Sequence, residues 1–158
     1  NTMDSVQSVL QVVELRLALE GEIAAFAAKR RSAGQMKAIV QALKQIESDE
    51  LEGKDGVDAD IAFHQSIAEA TGNPHFLSLI EFLFNFLRNA TATTRSYEAT
   101  KATLSRQVKQ EHAAIVDAIS RQDPEAARAA ARRHMEGAAR RLGAVGTKSG
   151  KALQAPAA

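Results

Sequence analysis

The sequence predicts an all-α protein, an antiparallel bundle of about six helices. Three observations carry that prediction. Alanine fills 31 of the 158 positions while glycine and proline together fill 12, so the best helix former is abundant and helix breakers are scarce. Turn-forming residues fall at helix-length intervals. No segment alternates apolar and polar residues for long, as a half-buried strand would. A chain of this length makes one domain and buries roughly 70% of its unfolded surface without covalent staples.

The first helix is expected at about 5–31, apolar on most faces through Val6, Val9, Leu10, Val12, Val13, Leu17, Leu19, Ile23 and Phe26. Gly34 opens a second at about 35–51, with Met36, Ile39, Val40, Leu43 and Ile46 at helical spacing. Gly53 and Gly56 mark a loop before a third helix at about 57–71. Thr71-Gly72-Asn73-Pro74 then closes one helix and starts another, with glycine as C-cap, asparagine as N-cap and proline at the first helical position. The fourth helix, about 74–95, holds four of the six phenylalanines and is apolar nearly all round through Leu87. Such a helix belongs in the middle of a bundle or at a dimer interface. The fifth runs over about 99–121, and Asp123-Pro124 caps a sixth at about 124–142. Residues 1–4 read as a ragged start and 143–158 as a disordered tail of small residues. The tail's Gly146-Thr147-Lys148-Ser149-Gly150-Lys151 has the wrong glycine spacing for a phosphate loop, and no strand precedes it.

Composition removes several functional classes. Without cysteine there is no disulfide framework, thiolate metal site or thiol catalysis. Twenty Lys and Arg against 19 Asp and Glu give a net charge of +1, which asks for no polyanionic partner. No apolar run approaches the ~20 residues of a membrane span and no signal-peptide pattern is found, so a cytoplasmic location is expected. The last helix is rich in arginine (Arg128, Arg132, Arg133, Arg140, Arg141). Interleaved Glu125 and Glu136, with no aromatics, make it read as a solvated face rather than a nucleic-acid surface.

The informative residues are polar ones inside apolar stripes. Leu104, Val108, His112, Ile115 and Ile119 fall within an arc of about 80° around the fifth helix, so His112 points inward with its neighbours. In the sixth helix His134 shares a side with Ala127, Ala130, Ala131, Ala138 and Leu142. In the third, His64 lies among Val57, Ile61, Ile67 and Ala68, and Asp60 sits one turn before it at i, i+4. Any one such histidine reads as a core residue bonded to a carbonyl. Three together would each need a buried partner, at about 1–3 kcal/mol for every one left unsatisfied. One divalent cation would satisfy all three and the Asp60 carboxylate, and this donor set suits Zn²⁺, Ni²⁺, Fe²⁺ or Mn²⁺. His75, in the first turn of its helix, is expected to be partly exposed and not a ligand. Arg16 shares a face with Val9, Val12, Leu19 and Ile23. It reads either as an internal partner of Glu20 at i+4 or as a guanidinium aimed at a carboxylate ligand. Asn85, Arg88 and Asn89 either line the same cavity or mark its exit to solvent.

These residues also resemble a known family. Asp60-Ile61-Ala62-Phe63-His64 followed by Glu69-Ala70-Thr71-Gly72-Asn73-Pro74 resembles the "DxxFH…AxGNP" signature of the FCD domain. That is the effector-binding domain of the FadR subgroup of GntR-type bacterial transcription regulators. Glu14-Leu15-Arg16-Leu17-Ala18-Leu19-Glu20 is similar to its "RxxLE" pattern. Glu111-His112-Ala113-Ala114-Ile115, then Asp123-Pro124-Glu125-Ala126-Ala127 and His134, is similar to its "EHxxI…DxxxA…H" run, so that the resemblance spans about 5–142. It implies a helical bundle holding a divalent metal on Asp60, His64, His112 and His134. Water or the carboxylate of a small organic acid takes the remaining positions, and Arg16 helps to bind that acid. It further implies a homodimer joined to an N-terminal winged-helix DNA-binding domain. No basic recognition helix is found ahead of the first bundle helix, so this chain is expected to sense a ligand and to reach DNA only through a domain outside it.

Two rival readings remain at this stage. A metalloenzyme could activate water at such a site, but neither HExxH nor any ExxH occurs and Glu111 projects about 100° away from His112. A purely structural dimerisation module would use the histidines as core residues. If the metal site is real, metal affinity is expected to fall as pH drops through about 6.5, where histidine protonates.

Overall fold

The computed structural model describes residues 2–99 and 102–148, and the regular structure in them is entirely helical. The order is α1 (Thr2–Arg30), α2 (Ala33–Leu51), α3 (Val57–Glu69), α4 (Pro74–Ala99), α5 (Ala102–Ser120) and α6 (Pro124–Lys148). The side chains of Val6, Leu87, Asn89 and Leu104 lie outside the described set, as does the tail from 149 to 158.

Small residues set the main helix–helix contact. Ile23, Ala24, Ala27 and Ala28 of α1 are at most 2% exposed. They pack along the alanine side of α6 (Ala127, Ala130, Ala131) in the most extensive interface of the bundle. The backbones approach so closely that a Cβ on Gly21 would lie 3.0 Å from Arg132 Cγ. The short α3 lies between α2 and α4 and buries eight of its 13 residues. Phe63 at its middle is fully buried among Ile39, Ile80, Ile115 and Ile119, side chains that each contribute about 1.5–3 kcal/mol when removed from water.

The connections obey local chemistry. Ser32 starts α2 with a capping box: its Oγ accepts the Gln35 N–H at 3.0 Å, and Gln35 Oε1 accepts the Ser32 N–H at 2.9 Å. This reciprocal cap places the helix start ahead of Gly34, earlier than expected. Gly72 takes φ +72°, and Asn73 Oδ1 then accepts the His75 N–H at 3.0 Å to open α4 behind Pro74. Between α5 and α6 the left-handed residue is Gln122, φ +53°, and Asp123 Oδ1 accepts the Ala126 N–H at 3.1 Å.

Several expectations change: α1 starts at Thr2, so 2–4 belong to that helix rather than to a ragged start. α6 continues to Lys148, so 143–148 is helix rather than tail. Glycine within a helix costs only about 1 kcal/mol relative to alanine, and Gly143 does not take the left-handed conformation that ends one. Of the two places expected for α4, the middle of a bundle or a dimer interface, it does not take the first. It buries Ile80, Leu83 and Phe84 against the other helices but leaves Leu79, Phe82 and Phe86 exposed on its outer side. On α6, Arg141 departs from the solvated face and is 5% exposed. Arg128 and Arg132 do lie at the surface, paired with Glu22. No described helix is long and apolar enough to cross a membrane.

Candidate metal centre

α3, α5 and α6 bring Asp60, His64, His112 and His134 together in the interior. One donor atom from each lies within 4.8 Å of the others, and all four side chains are buried. His75 is exposed and stands apart. The i, i+4 spacing on α3 sets Asp60 Oδ1 3.5 Å from His64 Nε2, and packing against α5 sets it 3.4 Å from His112 Nε2. The His64 and His134 rings are nearly parallel with centroids 5.5 Å apart, and His112 meets His134 at 4.6 Å. Phe63 braces the group from behind, 5.0 Å from the His112 ring and 5.5 Å from the His64 ring.

The separations are too long for good hydrogen bonds, which run about 2.7–3.2 Å. Asp60 Oδ1 and His64 Nε2 are buried with no hydrogen-bond partner. Two donors about 2.0–2.1 Å from one Zn²⁺ at the tetrahedral angle stand about 3.3 Å apart, close to both Asp60 spacings. The donor set therefore fits a divalent cation, and the orphaned carboxylate oxygen is the atom that most needs one.

The other nitrogens of two rings are fixed by carboxylates. His64 Nδ1 lies 2.8 Å from Glu20 Oε1, and His134 Nδ1 lies 2.8 Å from Glu111 Oε1. Each carboxylate is gripped by a buried arginine. Arg16 Nε donates to Glu20 Oε2 at 2.8 Å, and Arg141 donates to both oxygens of Glu111 at 3.0 and 2.8 Å. Burial pushes Glu20 and Glu111 towards neutrality, but Arg16 with His64, and His134 with Arg141, outweigh it and hold both at about 2. Asp60 is likewise kept well below the ordinary carboxylate range by His112 and His64 despite its burial. Burial alone would lower His64, yet Glu20 and Asp60 raise it to about 9. His134 falls to about 4, because burial and repulsion from His112 and His64 exceed the help from Glu111. The carboxylates around His64 thus favour its protonated form, whereas His134 is held towards its neutral form.

Of the residues singled out for effector contact, only Arg16 reaches this region, and it does so as the partner of Glu20. Asn85 is exposed, and Arg88 is exposed and paired with Asp58 at 2.5 Å. Neither lines the cleft beside the imidazoles, which is bounded by Glu20, Ile23, Ile67, Ile80, Met135 and His134 among others and has room for about one water. Sequence reasoning named Glu20 only as a partner of Arg16, set Glu111 aside as a base and put Arg141 on a solvated face, and so missed that all three back the imidazoles. Glu111 projects away from His112, as its position on the helix requires, and what it meets there is His134 on the neighbouring helix. An ionisable residue adjacent to an inward histidine was the available signal.

The profile of the FCD domain matches residues 11–137. The chain belongs to the FCD domain family. Among its relatives, the HTH-type transcriptional regulator LutR of Bacillus subtilis is 31% identical over 130 residues, covering 82% of this chain and 59% of LutR. The HTH-type transcriptional repressor NanR of Citrobacter rodentium is 31% identical over 140 residues, covering 86% of this chain and 52% of NanR. The chain thus spans just over half the length of these curated relatives. A solved structure, the GntR of Streptococcus agalactiae, superposes with a TM-score of 0.71 at 25% identity over 85% of this chain and 59% of that one. Both curated relatives are named as regulators of transcription rather than as enzymes.

Proposed function

We propose that this FCD domain senses a small organic acid at a divalent metal held by Asp60, His64, His112 and His134. The observation that carries the reading is the buried convergence of these four donors with Asp60 Oδ1 left without a hydrogen bond. Bound there, Zn²⁺, or Ni²⁺, Fe²⁺ or Mn²⁺, would supply a Lewis-acidic position for a carboxylate. The isoleucines and Met135 of the adjoining cleft would cover the apolar part of the acid. Arg16 offers a guanidinium one residue away, on condition that the acid replaces Glu20 as its partner. Arg88 and Asn85 contribute only if the outer end of α4 moves towards the cleft.

Because the cleft has room for about one water, a ligand must favour a more open packing of the helices, and that difference in affinity is the signal. The likeness to HTH-type regulators over about half their length fits a sensing unit in a homodimer that acts on DNA through a separate winged-helix domain. A hydrolytic reading lacks a base, since Glu111 is engaged by both His134 and Arg141.

The test is elemental analysis of protein purified without a metal-affinity tag, followed by a thermal-shift panel of small carboxylates with and without chelator. Metal near one per chain and chelator-sensitive stabilisation by at least one acid are expected. Less than about 0.2 metal per chain, with no stabilisation on adding Zn²⁺ or Ni²⁺, would end the proposal.

A further inference from the structure

Two of the clustered histidines are backed in the same way from different helices. Arg16–Glu20–His64 reaches the cluster from α1, and Arg141–Glu111–His134 reaches it from α5 and α6. Both arginines are 5% exposed. Simple burial of an apolar bundle does not call for such arrangements, since buried ion pairs are commonly no more stabilising than apolar side chains of the same volume. What they do accomplish is directional. A glutamate gripped by a guanidinium is held in place, so it accepts Nδ1–H and leaves the Nε2 lone pair of that ring available to a metal; on His64 that nitrogen stands 3.5 Å from Asp60 Oδ1.

Gly137 adds an independent observation. A Cβ there would stand 2.6 Å from Glu111 Oε2 and 2.8 Å from Arg141 Nη1. The pair closes over α6 at Gly137, where that helix presents no side chain. Alanine would suit the helix better than glycine, but its Cβ would require the ends of Glu111 and Arg141 to shift.

We infer that Arg16–Glu20 and Arg141–Glu111 are positioning relays that fix the tautomer and aim of His64 and His134 for the metal, with Gly137 as the clearance the second relay requires. This rests on the metal-site reading above. None of Arg16, Glu20, Glu111, Arg141 or Gly137 is itself a ligand; they act through the imidazoles.

The experiment measures Zn²⁺ affinity by competition with a chromophoric chelator for the parent, Gly137→Ala, Glu111→Gln and Glu20→Gln. Chemical unfolding of each metal-free protein runs in parallel. Each variant is expected to bind zinc about 10–100-fold more weakly while keeping the parent's helix content. Long-range ¹H–¹⁵N spectra of the zinc-loaded parent should show Nδ1 protonated on His64 and His134, and Glu111→Gln should move the ring signals of His134 but not of His64. Zinc affinities of Gly137→Ala and Glu111→Gln within twofold of the parent would overturn the inference, as would metal on Nδ1 of either ring. Should Gly137→Ala fail to fold, Glu111→Gln preserves volume and carries the comparison alone. A parent that binds no zinc brings down the metal reading itself, whereas a parent that binds with indifferent variants brings down only the relays.

Discussion

Replacing Asp60 with asparagine keeps the side chain's shape and removes the anionic oxygen that lies 3.4 Å from His112 Nε2 and 3.5 Å from His64 Nε2. In the metal-free protein this change removes an attraction and a burial cost together. His64 can release its proton in response, so the unfolding free energy should move by no more than about 1–2 kcal/mol. With metal the balance is different. At free metal 100-fold above Kd, binding to the folded state alone adds about 2.7 kcal/mol. For a chain of this size that is about 5–11 °C in Tm. Removing one of four donors should weaken binding at least as much as the ~100-fold reached by the strongest outer-shell changes. At the same metal concentration the stabilisation then falls to about 0.4 kcal/mol, or about 1–2 °C. Thermal melts of parent and Asp60→Asn with zinc and with chelator measure both differences. An Asp60→Asn protein that keeps the full metal-induced shift would refute the assignment of Asp60 as a donor.

The metal-free protein should be most stable near pH 6.5. His64, raised to about 9, contributes fully below its unfolded value of 6.5 and loses that contribution as pH rises through 9. His134, lowered to about 4, contributes above 6.5 and loses that contribution as pH falls through 4. Urea midpoints in chelator that continue to rise up to pH 9 would contradict this. Zinc binding at pH 7.5 should release the proton that Glu20 and Asp60 favour on His64; calorimetry in buffers of different ionisation enthalpy reads proton release directly. Affinity should therefore start to fall from about pH 9 downwards, higher than the 6.5 of an ordinary histidine. If the outer side of α4 joins two copies, Phe82→Glu with Phe86→Glu should convert a dimer to a monomer in sedimentation at unchanged helix content, since both side chains are more than half exposed in the single chain. A dimer that persists in the double variant would place the interface elsewhere.

The helices were legible because their signals are local. Ser32, Asn73-Pro74 and Asp123-Pro124 punctuate the chain wherever they stand, and α2 to α5 begin and end within about four residues of where spacing puts them. The end of α6 was not legible, since glycine stops a helix only when its backbone turns left-handed. The four donors could be picked out for a similar reason. A polar residue in an apolar stripe must face the core of any bundle the stripe belongs to, whatever its neighbours turn out to be.

Arg16 shows where such reasoning stops. Its position on α1 allowed a bond to Glu20 or a site for an acid, and only packing against α3, which brings His64 Nδ1 to 2.8 Å from the same carboxylate, joined Arg16, Glu20 and His64 into one chain of contacts. Glu111 and Arg141 likewise could not be paired with His134 from spacing, because α5 and α6 meet at an angle and offset that no single helix encodes. The sequence by itself determined that this is a helical bundle without cysteine chemistry, carrying three inward histidines and one inward aspartate. Which ring nitrogen faces Asp60, which carboxylate holds each ring, and how little space lies beside them were decided by tertiary structure alone. Those properties depend on distances of a few ångströms between residues as far apart in sequence as Glu20 and His64, and helical periodicity says nothing about the relation between one helix and the next.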